Sequence, residues 1–466
     1  CLKVTNVLSE EKLDQQLRKI IAQHGLTGEP RNAHDMPSIN EPLAQLGKKL
    51  FFSKALGGDL DSACASCHHP MLGGGDALSV SIGVGAHDQD LLGSARTHPE
   101  GPTVPRNAQS TFNVAFYNQV LFYDGRIENL GKTLSLKGSD DHGTDGLQQG
   151  IRTPDSLFGE ADPEAGADLI AAQSRFPVTS QDEMRGFEFE AHRPTGYARR
   201  HLAARLGDYD AGRGELERTG WLAEFRSAFR NSSDARSLIN ETNIAAALSA
   251  YQRSQVLVDT PWRAYVQGNE DAITQSSKRG ALLFFQSDDD GGAGCTTCHS
   301  GDFFTDEQFH VLALPQVGPG KEDGRFHDDF GRFRESGKPV DLYAFRTPTL
   351  LNVEVTGPYG HDGAYATLKG IVQHHLNPAL AVAVYDVTEL DPAVQTQYLA
   401  FNTQRALSKL EENRKAGLPA IQNIKLTDQQ VNDITSFLLT LTDPCVKSLA
   451  CLTPWIPSDD DIDPDG

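Results

Sequence analysis

Apolar residues recur at helical spacing in three places. After Ser9, a helix-capping residue type, Leu13, Leu17, Ile20 and Ile21 fall on one face until Gly25 stops the run. Asn243 to Gln252 places Ile244, Leu248 and Tyr251 on one face. Thr427 and Gln430 form a capping box ahead of Val431, Ile434, Phe437, Leu438 and Leu441. Runs that alternate apolar and polar residues are few. Long Gly-, Pro- and Asp-rich connections join the helical stretches, most conspicuously from Gly138 to Pro163. Connections of that length usually serve function or wrap a cofactor. The pattern predicts a mostly α-helical protein with long irregular loops and little β structure.

The chain also repeats itself. Gly47-Lys48-Lys49-Leu50-Phe51-Phe52 recurs as Gly280-Ala281-Leu282-Leu283-Phe284-Phe285, and each copy leads through a short Gly/Asp/Ser-rich loop into Cys-x-x-Cys-His. Two similar modules are expected, residues 1–260 with an insertion at about 127–172, and residues 261–466. The boundary falls near Asp259 to Pro261, where the helical stretch gives way to the second module.

Composition narrows the function classes. The chain has 466 residues, 38% hydrophobic and 23% charged, and no apolar run approaches the roughly 18 residues of a membrane span. The net charge of −21, with an acidic tail from Ser458 to Asp465 and acidic residues at Asp288, Asp289 and Asp290, disfavours nucleic acid and anionic lipid and favours basic partners. Numbering from Cys1 rather than from an initiator Met is what an exported, processed chain would show, so a periplasmic, outer-membrane or cell-surface location is expected. Only three methionines occur, Met36, Met71 and Met184, so no thioether is available beyond position 184.

Cys64-Ala65-Ser66-Cys67-His68 and Cys295-Thr296-Thr297-Cys298-His299 match the attachment pattern of c-type haem. Thiols at i and i+3 can form thioethers to both vinyl groups, and the adjacent His supplies an iron ligand. A zinc site would draw four ligands from neighbouring segments, and the two clusters lie far apart in sequence; a redox dithiol is the other competing reading. Two covalent c-type haems, in two cytochrome c-like haem domains, are the expectation. Of the remaining cysteines, Cys445 and Cys451 can close a short disulfide, and Cys1 is a candidate for lipid attachment.

These motifs, with Pro105-Arg106-Asn107-Ala108, Phe122-Tyr123-Asp124-Gly125-Arg126, Phe345-Arg346-Thr347-Pro348-Thr349-Leu350 and Thr356-Gly357-Pro358-Tyr359-Gly360-His361-Asp362-Gly363, resemble the bacterial dihaem cytochrome c peroxidase and MauG family from about Pro42 to Leu441. The resemblance implies a division of labour. The haem on His68 would take peroxide, with Gln173, Pro177 and Glu183 on its distal side, and Glu183 suits the general base that O–O heterolysis needs. His98 falls near the position of a loop His that caps this haem in some family members, although the surrounding motif differs. The haem on His299 would pass electrons. The family's second axial ligand, a Met or Tyr fourteen residues after the His of Tyr-x-His-Asp-Gly, corresponds here to His375, preceded by His374, and the missing methionines point the same way. Bis-imidazole ligation lowers the reduction potential relative to His/Met. Tyr123 stands where the family usually has the Trp between the haems; a relay role competes with that of a hydrogen-bonded structural aromatic. Asn107, Thr356 and Pro358 match the family's Ca²⁺ ligands, and their oxygens suit a hard cation.

The leading functional expectation is a peroxidase that reduces H₂O₂ with electrons from a small cytochrome c or cupredoxin. A MauG-like oxidase acting on aromatic residues of a partner protein is the alternative, and a dihaem electron carrier is a third. A distal Gln/Pro/Glu set argues against the carrier, because a closed haem has no use for a base.

Overall fold

The computed structural model describes residues 10–30, 36–131, 149–458 and 464–465. About 45% of it is helix and 5% strand, and it is the mostly α architecture with long irregular connections that the hydrophobic pattern predicts. The strands are short: Val120–Leu121, Ile127–Asn129 and Ile151–Arg152 pair antiparallel in that order, and Phe309–Val311 pairs with Ala344–Arg346. No helix among the described residues is long and apolar enough to cross a membrane.

The repeated Gly-x-x-Leu-Phe-Phe stretch has a packing origin. In the first module the helix Pro42–Phe52 crosses the helix Glu241–Arg253, and a Cβ added at Gly47 would lie 1.9 Å from the carbonyl oxygen of Ala247. In the second, Gln275–Phe285 crosses Asp428–Leu439, and a Cβ at Gly280 would lie 1.9 Å from the carbonyl oxygen of Asp433. Each crossing brings backbone against backbone, so only glycine fits. The residues that follow it build the cores: Leu50 and Phe51 join Ile244, Leu248 and Tyr251, while Phe284 and Phe285 join Trp262, Ile434 and Phe437. The capping box at Thr427 and Gln430 starts the last of these helices as the sequence indicates.

Both ends of the chain cross over. The helix Glu10–His24 buries Leu13, Leu17 and Ile20 in the core of the second module, and Asp14 pairs there with Lys278 at 2.8 Å and accepts from the Tyr265 hydroxyl at 2.6 Å. The C-terminal segment returns to the first module, where the Tyr251 hydroxyl donates to the carbonyl of Trp455 at 2.8 Å and the Trp455 indole donates to Ser254 at 3.0 Å. Cys445 and Cys451 form the expected disulfide in that segment. Cys1 and most of the acidic tail lie outside the described residues, as does the middle of the insertion, 132–148.

Between the modules runs a buried ion network. Arg106 donates through Nε and Nη2 to Asp329 at 2.6 and 2.8 Å and through Nη1 to Asp124 at 2.6 Å; Arg126 reaches the same Asp124 at 3.0 Å. A second set, Arg332 with Glu128 at 2.9 Å and Arg152 with Glu335 at 2.8 Å, ties the insertion to the second module. Burial alone would raise the carboxyls of Asp124 and Asp329, but the guanidiniums hold both well below the usual carboxylate range.

Two predictions follow from this packing. Gly280→Ala forces a methyl group into a carbonyl that cannot move aside, so it should cost about 1–3 kcal/mol, read as a lowered thermal midpoint of the haem-loaded protein. Asp329→Asn leaves Arg106 buried with a broken pair and should cost about 3–5 kcal/mol. Because the folded carboxyl titrates lower than an unfolded Asp near pH 3.9, the pair's contribution is complete above that pH and is lost as pH falls through the folded value. The gap between wild type and Asp329→Asn in urea melts should therefore be constant at neutral pH and close only in strong acid.

Candidate active site

One cavity of about 940 Å³ opens between the modules, and both Cys-x-x-Cys-His motifs line it. Cys64–Cys67 forms a single helical turn and Cys295–Thr297 a tighter one, so in each motif the two sulfurs and the following imidazole face the same space. The His68 Nδ1 is 3.3 Å from the carbonyl of Gly74, and the His299 Nδ1 is 3.0 Å from that of Phe304. A carbonyl can only accept, so Nδ1 carries the proton and Nε2 is left with its lone pair toward the cavity. Burial lowers both imidazoles, His299 to about 4 with the added effect of His375, which keeps them neutral as metal ligation requires.

The cysteines do not suit the competing readings. Burial pushes the Cys64 and Cys295 thiols up to about 12, and Cys67 is raised as well, whereas a redox dithiol or zinc site stabilises the thiolate. Among the described residues one group of three ligand types converges, Cys298, Asp306 and His310, but His310 and Asp306 are bonded to each other at 2.7 Å and the cysteine belongs to the second motif. A large, mainly apolar cavity carrying four thiols and two oriented imidazoles fits two haems.

The paired histidines on the helix Leu368–Leu376 are distinguished by their surroundings. His374 is fully buried and uses both nitrogens, Nδ1 with the Tyr365 hydroxyl and Nε2 with the carbonyl of Leu312, each at 2.8 Å. His375 bonds through Nδ1 to the carbonyl of Ile371 at 2.8 Å, which leaves Nε2 for the cavity. Its ring centre lies 6.4 Å from that of His299. Two metal–nitrogen bonds of about 2 Å, plus about 1.1 Å from each nitrogen to its ring centre, add to about 6 Å. That spacing would fit one iron between the rings.

The His68 side of the cavity is different. Gln173 lies on the helix Leu169–Ser174, which Asp168 caps by accepting from the amides of Ile170 and Ala171 at 3.0 and 2.9 Å. Pro177 opens a 3₁₀ turn at Pro177–Thr179, and Glu183 lies on the wide turn Gln181–Arg185. All three line the cavity together with His68. The last turn is held from behind by Gly83, where a Cβ would be 2.0 Å from the carbonyl oxygen of Asp182 and 2.5 Å from that of Glu183. The side chain of Glu183 has no hydrogen bond or ion pair among the described residues. His98 is not in the cavity wall; it is partly exposed beside Gly85 and accepts from the amide of Glu100 at 3.2 Å.

Tyr123, Asn107, Thr356 and Pro358 line the stretch of cavity wall near the interface network. The Tyr123 hydroxyl donates to Asn107 Oδ1 over 3.4 Å, a long bond, while the Asn107 amide donates to the carbonyl of Leu78 at 2.7 Å. Burial pushes the Tyr123 phenol above its ordinary value near 10. The weakly engaged Asn107 oxygen, with Thr356 and Pro358 on the same wall, is compatible with a hard cation held by neutral oxygens and water. Sequence reasoning did not find the roles of Arg106, Asp124 and Asp329. The first two sit inside motifs it singled out, but nothing local identifies Asp329 as their partner.

The chain is similar to several known proteins. A family model described as di-haem cytochrome c peroxidase matches residues 41–271. The methylamine utilization protein MauG of Methylorubrum extorquens is 27% identical over 331 residues, covering 71% of this chain and 67% of that protein. The cytochrome c551 peroxidase of Pseudomonas aeruginosa is 26% identical over 338 residues, covering 72% and 71%. Among solved structures, the diheme peroxidase BthA from Burkholderia thailandensis superposes with a TM-score of 0.55 at 22% identity, over 91% of this chain and 89% of that one. A MauG-like protein associated with microbial copper homeostasis gives 0.54 at 22% identity, over 91% and 95%; both likenesses concern the fold. The chain belongs to the dihaem cytochrome c peroxidase and MauG family, a family of peroxide oxidoreductases.

Proposed function

We propose that this protein reduces H₂O₂ at a haem held by Cys64, Cys67 and His68, with electrons entering through a haem held by Cys295, Cys298, His299 and His375. The observation that carries the reading is the asymmetry of the cavity. His299 faces a second imidazole at 6.4 Å, whereas the His68 side presents an amide, a proline and an unpaired carboxylate. A ring pair of that kind would leave no position for substrate, whereas a carboxylate on the cavity wall is placed to act on a molecule bound there.

When bound, the haem would supply the iron that takes up peroxide and the two electrons that cleave its O–O bond, and the donor would then return those electrons. Glu183 accepts the proton from the oxygen nearer the iron and returns it to the departing oxygen. Gln173 offers an amide to the bound molecule, and Pro177 shapes the wall. His68, oriented by the Gly74 carbonyl, keeps its Nε2 aimed at the metal. Overall, H₂O₂ takes two electrons and two protons to give two waters. Tyr123 is the relay between the two sites, with its enclosed hydroxyl directed at Asn107 Oδ1. Ca²⁺ at Asn107, Thr356 and Pro358 would order the same wall.

The net charge of −21 favours a basic donor such as a small cytochrome c or cupredoxin. The Cys445–Cys451 disulfide supports export to the periplasm or cell surface, and Cys1 is the candidate site for a lipid anchor. A second reading, oxidation of aromatic residues on a partner protein, is favoured by Tyr123 and by the likeness to MauG.

The resting protein is expected to show one high-spin and one low-spin haem. His375→Ala should abolish the low-spin signal while His374→Ala keeps it, since His374 has no free nitrogen. Glu183→Gln should slow peroxide turnover by about 10²–10⁴-fold with both resting signals intact. Turnover with H₂O₂ and a reduced small cytochrome decides between the two readings: none with that donor or a reduced cupredoxin, but peroxide-dependent oxidation of a partner protein, would favour the second.

A further inference from the structure

The peroxide site has a base but, among the described residues of its own module, the cations that line the cavity are already paired. Breaking an O–O bond heterolytically puts negative charge on the departing oxygen, and a fixed positive charge nearby stabilises that change. Two of the cationic groups on this wall are already engaged. Arg106 spends its guanidinium on Asp329 and Asp124, and Arg126 pairs with Asp124 while lying 3.7 Å over the Phe122 ring. Lys321 is not. It lines the cavity with Glu183, is partly buried, and its ammonium has no hydrogen bond or ion pair among the described residues.

The backbone shows why it sits there. A Cβ at Gly318 would lie 3.0 Å from Val80, so the 318–321 segment of the second module packs on the strip around Val80. That strip continues to Gly83, whose α-carbon abuts the carbonyls of Asp182 and Glu183. The Lys321 amide donates to the carbonyl of Asp328 at 3.3 Å, and its carbonyl accepts from Arg334 at 3.0 Å. Lys321 is therefore anchored by its main chain, and its side chain lines the same cavity as Glu183. Glu183 in turn has no donor among the described residues, so a cation and an anion of this wall both keep their charge for what the cavity binds.

We propose that Lys321, contributed by the second module, supplies the positive charge of the peroxide site in the first, facing the departing oxygen while Glu183 moves the proton. The inference rests on the reading of the His68 side as the site of peroxide chemistry. In the step itself the O–O bonding pair goes to the outer oxygen, which takes the proton that Glu183 removed from the inner one and leaves as water. Lys321 keeps its own proton throughout, and the two oxidising equivalents left behind are cancelled by the donor's two electrons.

Burial, with Arg126 and Arg106 close by, lowers the Lys321 ammonium to about 8, while Asp329 and Glu183 pull the other way; Asp182 also faces it. The charge is therefore present at neutral pH and is lost as pH rises through that value. A small anion bound at the haem tests this without turnover. Azide affinity of the resting haem-loaded protein, followed by absorbance, should fall about tenfold or more in Lys321→Met and stay near wild type in Lys321→Arg. The wild-type affinity should weaken from about pH 7 to pH 9, and the Lys321→Arg affinity should not share that loss. The rate of reaction with peroxide should follow the same order, with haem content and thermal midpoint recorded for each variant. Equal azide affinity in wild type and Lys321→Met would overturn the proposal, as would unchanged affinity with a shifted haem potential, which would assign Lys321 to a haem propionate. A wild-type protein that neither binds azide nor reacts with peroxide would instead refute the functional reading beneath it.

Discussion

Arg106 is the residue on which the arrangement of the two modules turns. One guanidinium satisfies two buried carboxylates, Asp124 in its own module and Asp329 in the other, with every nitrogen used. Asp124 also has Arg126, but Arg106 is the cation that pairs Asp329 among the described residues, and leaving that buried carboxylate unpaired would be costly. Arg106 also precedes Asn107, and Asp124 follows Tyr123, so the same network sets the wall between the two motifs. The exchanged arms, with Asp14 bound to Lys278 and Tyr251 to Trp455, reinforce the pairing from outside. The cavity is thus a product of the interface, and each side of it is lined by residues of both modules.

Within that frame, a duplicated scaffold would, on the proposed function, carry two different chemistries. Gly47 and Gly280 make equivalent helix crossings, and each crossing delivers a Cys-x-x-Cys-His to the cavity with its imidazole oriented by a backbone carbonyl. What differs is the segment opposite. The helix Leu368–Leu376 brings His375 to His299, while the turns from Gln173 to Glu183 bring an amide and a carboxylate to the His68 side. Function diverges at the facing segment because the repeat does only the work of holding the motif.

Much of this was legible along the chain. The attachment motifs, the repeated glycine, the capping box at Thr427 and the Cys445–Cys451 pair are local patterns whose meaning depends on a few neighbouring residues; the structure agrees with the last three and places both motifs on one cavity. His374 and His375 were harder, since adjacency in sequence does not say which ring faces outward. About 100° of helix rotation separates them, and the choice is made by Tyr365 and the Leu312 carbonyl, which occupy His374 completely.

By itself the sequence determined the chemistry on offer: four thiols with two histidines in attachment spacing, no methionine beyond Met184, and a carboxylate in a motif segment. Tertiary structure alone decided how those groups face one another. The partners that matter most, Asp329 for Arg106, Ala247 for Gly47 and Asp433 for Gly280, lie far away along the chain, and no periodicity or spacing encodes such a pairing. Charge balance and backbone contact are settled only when distant segments share one volume, so the residues that complete the site were invisible until the two modules closed on each other.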